Sequence, residues 1–202
     1  MKQILISILA ALALAGCCET KKADCSMDKS AVILENLKTR RAVRTYSDSI
    51  PDKALIEKIV EAGSYAPTGM GMQSPIIIAV TNKGVRDTLS SMNAKVMGSQ
   101  SDPFYGAPVV LVVLADKKIG TYQYDGSLVM GNLMNAAHAV GLSSCWIHRA
   151  KEMFETPEGI AMLKEWGYEG DYEGIGNCII GYNSGEAPTP KPRKADYIKF
   201  VE

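Results

Sequence analysis

Two uninterrupted β-branched runs, Ile76-Ile77-Ile78-Ala79-Val80 and Val109-Val110-Leu111-Val112-Val113-Leu114, restrict what this chain can fold into more than any other feature. A strand with one wet face alternates apolar and polar residues, so runs this continuous demand cover on both faces. The cover is written into the flanking sequence. Between the runs, Val85, Leu89, Met92 and Val96 recur at spacings of four, three and four, which predicts a helix. Before them, Asp52 opens a helix with the face Leu55, Ile56, Ile59 and Val60, and Gly63 and Pro67 supply its stop signals. Residues 30–39 carry Val32, Ile33, Leu34 and Leu37 at helical spacing, and residues 128–140 form an alanine-rich helix, central and buried, ending at Gly141 as a C-cap. Trp146-Ile147 reads as a short strand, residues 157–166 as a helix and 174–182 as a strand. Helices alternating with strands predict a three-layer α+β or α/β domain.

With 202 residues, 47% of them hydrophobic, the chain fits one domain with an ample core. Twenty-two basic and twenty-two acidic residues cancel, so overall charge argues against a nucleic-acid binder. Residues 1–16 stand apart: Lys2 precedes an apolar stretch too short to span a bilayer comfortably, which reads as a signal peptide. It ends in Leu14-Ala15-Gly16-Cys17, which resembles a bacterial lipobox with Cys17 as the lipid acceptor and implies a lipid-anchored protein of the cell envelope. Residues 17–29 form a flexible tether and 30–202 the folded domain. Cys18 and Cys25 fall in the tether, and no metal-ligand spacing occurs. Cys145 and Cys178 sit in apolar surroundings and read as core thiols, with disulfide pairing open in an exported protein.

Local chemistry concentrates in two basic clusters. Arg40-Arg41-Ala42-Val43-Arg44 gives, with Lys38, four cations and no acid over seven residues, and Pro190-Lys191-Pro192-Arg193-Lys194 stands far downstream in an extended, proline-stiffened segment. Arginine binds phosphate oxygens in pairs through its planar fork, so convergence of these side chains makes a phosphate site. No Ser-His-Asp order, paired-carboxylate motif, Walker loop or Rossmann glycine fingerprint competes with that reading.

In order and separation, the arginine cluster, Thr45-Tyr46-Ser47, Ala66-Pro67-Thr68, Gly141-Leu142-Ser143-Ser144-Cys145-Trp146 and Gly181-Tyr182 resemble the nitroreductase family of FMN-dependent flavoproteins. The resemblance runs from about Leu34 to the C-terminus. It implies a mixed sheet flanked by helices and an obligate homodimer whose C-terminal segment wraps onto the other subunit. The tail Tyr197-Ile198-Lys199-Phe200-Val201 alternates as a strand would and suits that role.

By the same resemblance, Arg40, Arg41 and position 42 hold the FMN phosphate and ribityl end, and Arg44 reaches the pyrimidine edge of the ring. Lys191 and Arg193 match the second phosphate clamp. Pro67, Thr68 and Gln73 belong to a loop against the flavin, and the segment Trp146, Ile147, His148 and Arg149 offers backbone amides to the ring. Ala42 stands where the family usually has serine and Gly71 where it often has asparagine, so Gln73 is expected to supply part of the lost contact. Met70 and Met72 read equally as pocket lining and as core filling, and His148 and His138 as structural residues. Asn132 is expected to make a structural hydrogen bond.

The implied chemistry is ping-pong reduction of a nitroaromatic, quinone or related electrophile through flavin N5. NAD(P)H is the family's usual donor and is scarce in an exported compartment. An FMN-binding electron-transfer or sequestering module, and a flavin-free ligand-binding lipoprotein, stay beside it.

Overall fold

The computed structural model describes residues 28–202; the expected signal peptide 1–16, the expected lipid acceptor Cys17, and Cys18 and Cys25 lie outside the described residues. Both β-branched runs are strands: β1, Pro75–Val80, and β2, Val109–Asp116. With β3, Ser143–Ile147, and β4, Tyr172–Gly181, they form one sheet in the order β1-β2-β4-β3. Every strand pair is antiparallel. The expected mixed character is reduced to one parallel bridge, Ala42 to Ser144, where the arginine segment lies along β3. Each chain crossing between β1 and β2, and between β3 and β4, reverses direction, which removes any need for parallel neighbours.

Among the described residues there are six α-helices, α1 (Lys29–Thr39), α2 (Lys53–Ser64), α3 (Lys83–Met97), α4 (Tyr122–Ala139), α5 (Ala150–Phe154) and α6 (Pro157–Glu165), and all but α1 cover the sheet. One face of the sheet presents Val110, Val112, Leu114, Cys145 and Ile179 to Leu89, Met92, Met153, Phe154 and Leu163 of α3, α5 and α6. The other presents Val109, Leu111, Val113, Cys178 and Ile180 to Ile56, Ile59, Val129, Met130 and Leu133 of α2 and α4. Alternate residues of β2 thus enter different cores, which is why its run carries no polar residue before Asp116. The α3 helix begins with the Asn82 side chain accepting from Val85 N at 3.1 Å and stops at Gly98, whose φ of 67° is left-handed.

The central helix α4 begins at Tyr122, six residues earlier than the apolar run indicates, because its first turns carry polar and aromatic residues that the pattern leaves unmarked. The short helix α5 has no counterpart in the sequence pattern, since five residues are too few to establish a period. The α1 helix forms as expected but buries none of its residues: Val32, Ile33, Leu34 and Leu37 are 47–60% exposed. It is tied to α4 by Asn36 Nδ2 donating to Asn135 O at 3.1 Å and by a 2.9 Å contact of Thr39 Oγ1 with His138 Nε2. That contact gives His138 a structural partner, and Asn132 Nδ2 donates to Ala62 O at 3.2 Å as a link from α4 to α2.

Residues 197–201 form no strand, because no neighbouring strand of this chain lies beside them, and Tyr197, Ile198, Phe200 and Val201 are 66–87% exposed. Cys145 and Cys178 are free, buried thiols. Their register, Cys145 opposite Ile179 and Trp146 opposite Cys178, turns the two sulfurs to opposite faces of the sheet, so a bond between them is geometrically closed. Burial pushes the Cys178 thiol up to about 12. No helix among the described residues is long and apolar enough to cross a membrane.

Candidate cofactor site

The arginine segment leaves α1 and docks on the outer edge of β3. Val43 N donates to Ser144 O at 3.1 Å, Val43 is buried, and Tyr46 bridges to Asn183. The Tyr46 hydroxyl donates to Val43 O at 2.8 Å, and burial raises its pKa far above the ordinary tyrosine value. Ala42 packs against the core beneath, and the bridge to Ser144 uses its backbone.

On this support the three arginines take different roles. Arg41 Nη1 donates to Lys38 O at 2.6 Å and Arg40 O at 2.7 Å, and so serves the carbonyl end of α1. Arg40 is half-buried, and its Nη1 is buried with no hydrogen-bond partner. A buried, unsatisfied guanidinium nitrogen costs free energy unless an anion completes it. Arg44 is exposed. Both Arg44 and Arg40 act on the Cys145 thiol, opposing the rise that burial gives its pKa.

At the other end of β3, Trp146 is half-buried, Ile147 buried and His148 exposed, with the Trp146 and His148 rings 5.9 Å apart. Trp146 Nε1 is also buried without a partner and faces the backbone of Gly176. A Cβ there would stand 2.6 Å from that nitrogen, so glycine is what lets the indole lie flat on β4. The His148 carbonyl accepts from Asn93 Nδ2 of α3 at 2.7 Å, and Arg149 turns into α5 with a left-handed φ of 74°. Asn93 is fully buried, and no feature of the α3 sequence distinguishes it from a solvent-facing asparagine.

The loop 66–75 lies on the opposite edge of the sheet, ahead of β1. Gly69–Gly71 makes a single 3-10 turn, Pro67 is exposed, and the Thr68 hydroxyl accepts from Gln73 N at 3.1 Å. Met70 and Gln73 have φ of 50° and 52°. Of the four described non-glycine residues with positive φ, three (Met70, Gln73 and Arg149) fall in predicted site segments, so backbone strain among the described residues concentrates there. A cleft of about 280 Å³ beneath the loop, lined by Ser64, Thr68, Gln73 and Val129 among others, is smaller than the roughly 300–1,000 Å³ of small-molecule pockets. Met70 is 95% exposed and Met72 half-exposed, which removes both from the core.

The structure brings Arg40, Arg44, Ala42 and residues 146–149 to one sheet edge and leaves Pro67, Thr68 and Gln73 beside β1 on the other, three strands across and displaced along the sheet, since Ser144 aligns through Ile180 with Val109 whereas Pro75 aligns with Ala115. Lys191 and Arg193 are exposed and make no hydrogen bond or ion pair with a described residue. Their segment starts beside the arginines, where Thr45 Oγ1 donates to Asn183 Oδ1 at 2.8 Å, and then runs outward. The polar groups suit a ligand with an anionic end: an orphaned guanidinium nitrogen and a second, exposed guanidinium. Among the described residues no cluster could hold a metal ion.

Comparison with known proteins points the same way. Residues 37–102 match the model of the nitroreductase family. A protein of Archaeoglobus fulgidus, provisionally named NADH dehydrogenase/NAD(P)H nitroreductase, is 30% identical over 144 residues, covering 64% of this chain and 80% of the relative. A nitroreductase from Bacteroides fragilis, solved with bound FMN, superposes with a TM-score of 0.77 at 28% identity over 84% of this chain and 98% of its own. An FMN-dependent nitroreductase from Clostridium difficile R20291 gives 0.69 at 26% identity, over 84% and 99%.

Proposed function

The chain belongs to the nitroreductase family, and from that premise we propose that it is an FMN-dependent oxidoreductase acting on small electron donors and acceptors. When bound, FMN would supply hydride acceptance from a donor such as NAD(P)H and electron delivery to a nitroaromatic, quinone or related electrophile. The observation that carries this reading is the buried, unpartnered Nη1 of Arg40 in the segment docked on the β3 edge.

Arg40 holds the phosphate by charge-assisted hydrogen bonds. The remaining nitrogens of Arg41 and the backbone of Ala42 would complete that end, and Lys191 and Arg193 would add their charge to it only if the exposed tail folds back. Arg44 would serve the pyrimidine edge, where a fixed cation opposes negative charge that exists only in the reduced ring. The amides of Trp146, Ile147, His148 and Arg149 would serve the ring's other polar edge, and Pro67, Thr68 and Gln73 would form a wall against it.

A symmetric homodimer belongs to this proposal. The outer edge of β1 has no strand partner among the described residues, α1 exposes its apolar face, and the tail Tyr197–Val201 is apolar and unpaired. A tail strand from a second copy would cover such an edge. Pairing two copies would also bring the loop group of one toward the arginine group of the other. The lipobox-like Leu14-Ala15-Gly16-Cys17 adds a lipid-anchored envelope location to the proposal.

The test is an absorbance spectrum of the purified protein after FMN addition and removal of excess, followed by anaerobic NADH and NADPH. Retained flavin that bleaches supports the oxidoreductase. Retained flavin that stays yellow with both reductants replaces the nicotinamide donor, and no retained flavin refutes the site.

A further inference from the structure

A buried carboxylate outside the arginine group has no cation beside it. Asp125, in the first turn of α4, is 2% exposed and forms no ion pair among the described residues. Its Oδ1 accepts from Gly69 N at 2.9 Å; its Oδ2 accepts from Ser74 Oγ at 2.8 Å and Thr121 Oγ1 at 3.0 Å. Two of these donors are the ends of the strained loop, so one side chain pins both. Gly69 itself is crowded by the Thr121 side chain, and a Cβ there would collide with it, which fixes the loop's entry as closely as its exit.

A buried anion is costly unless its oxygens are satisfied, and here neutral donors do that work alone, helped by the helix N-terminus. Burial raises the Asp125 pKa, but the bonds from Gly69, Ser74 and Thr121 outweigh it and hold the carboxyl below the ordinary aspartate value. Between the pins the chain must close in five steps. It does so through left-handed Met70, Gly71 and Gln73, with Gly71 N donating to Thr68 O and Met72 N to Gly69 O, each at 3.0 Å.

We propose that Asp125 is a positioning residue for the flavin site: its carboxylate holds loop 66–75 in the left-handed shape that presents Thr68, Met70 and Gln73 to the bound ring. This rests on the FMN reading above. The carboxylate acts through the loop and touches neither FMN nor substrate.

The test uses the full-length protein with D125A, D125N and the double variant S74A/T121V. Amide exchange at Gly71, Met72 and Gln73 is measured without flavin, and FMN affinity and the midpoint potential of the bound flavin are measured separately. D125A is expected to speed loop exchange and to weaken FMN binding about tenfold with a shifted potential. D125N should recover most of both, because its amide oxygen still accepts from Gly69 N and its NH2 can donate to a hydroxyl. If D125A does not fold, S74A/T121V must move exchange and affinity the same way.

Faster loop exchange with unchanged affinity and potential would overturn the assignment, leaving Asp125 a purely structural pin. Unchanged exchange would overturn it too. Wild-type protein that binds no FMN would remove the flavin reading itself and this assignment with it, an outcome distinct from the other two.

Discussion

Replacing Arg40 by alanine separates two effects of opposite sign. Without ligand, Arg40 Nη1 is buried and unpartnered, and a group in that state costs about 1–3 kcal/mol. Removing it relieves that cost and loses the packing of a half-buried stem, so apo stability is expected to hold or rise. A chain of this size shifts Tm by about 2–4 °C per kcal/mol. With FMN present the sign reverses, because a charge-assisted hydrogen bond to phosphate contributes about 1.5–3 kcal/mol and its loss raises Kd roughly ten- to hundredfold. At fixed excess FMN, a tenfold weaker Kd removes about 1.4 kcal/mol of ligand-linked stabilisation, or about 3–6 °C of the thermal upshift. Melting curves with and without FMN, paired with a fluorescence titration, read both effects. Equal FMN affinity in R40A and wild type, with an apo Tm that falls, would refute the reasoning, because Arg40 would then be a structural cation.

R44A should leave most FMN bound yet lower the midpoint potential by about 30–60 mV, the two-electron equivalent of one lost charge-assisted contact; an unchanged potential in a spectroelectrochemical titration removes Arg44 from the ring edge. Glu173 is 7% exposed and accepts from Gln123 Nε2 at 2.8 Å and Lys151 Nζ at 3.0 Å. Burial raises its pKa, but those partners outweigh it and hold it below the ordinary glutamate value. A depressed folded pKa contributes stability that is present above the unfolded value of about 4.3 and is lost as pH falls through the folded one. E173Q should therefore flatten the acid limb of Tm against pH below about pH 4.5, and parallel curves would exclude Glu173. A Cβ on Gly174 would collide with the Ala150 carbonyl and lie 2.7 Å from Lys151 N, so G174A should lower Tm by at least ~4 °C; G71A meets nothing within 4 Å and should cost only about 1 kcal/mol of left-handed strain, and equal losses would contradict the contact. Deleting residues 188–202 should convert a dimer to a monomer in light scattering, and an unchanged mass would take the tail out of the interface.

The two β-branched runs and the apolar faces of α2, α3 and α6 were legible because burial on a regular element leaves a period in the sequence. The α1 face is the exception: the period is there, but Val32 through Leu37 face outward, since periodicity reports a helix face and not what covers it. The tail fails for the related reason that alternation describes a strand and cannot name its neighbour. In the site, the arginines were legible as charge, but Arg41 spends Nη1 on the end of α1, a use that only the position of the Lys38 and Arg40 carbonyls decides. Asp125 and Asn93 went unseen because one polar residue in a helix looks alike whether it caps a distant loop or faces water. The faint signal for Asp125 was its place four residues after Thr121, an acid in a first turn.

The two departures from the resembled pattern gain a physical account from the backbone. At position 42 the contact that docks the arginine segment is main-chain, through the bridge to Ser144 and the Val43 N bond, so alanine preserves the docking and forfeits a hydroxyl. At position 71 the φ of 69° lies in the left-handed region, which glycine enters without cost and asparagine enters more readily than other residues. Glycine and asparagine are thus interchangeable for the shape of the loop and different for what it offers. With Gly71 nothing but hydrogen stands there, and the polar contact must come from neighbours already fixed by the turn. Gln73, itself left-handed and exposed, is the side chain that the pinned loop turns outward two residues on.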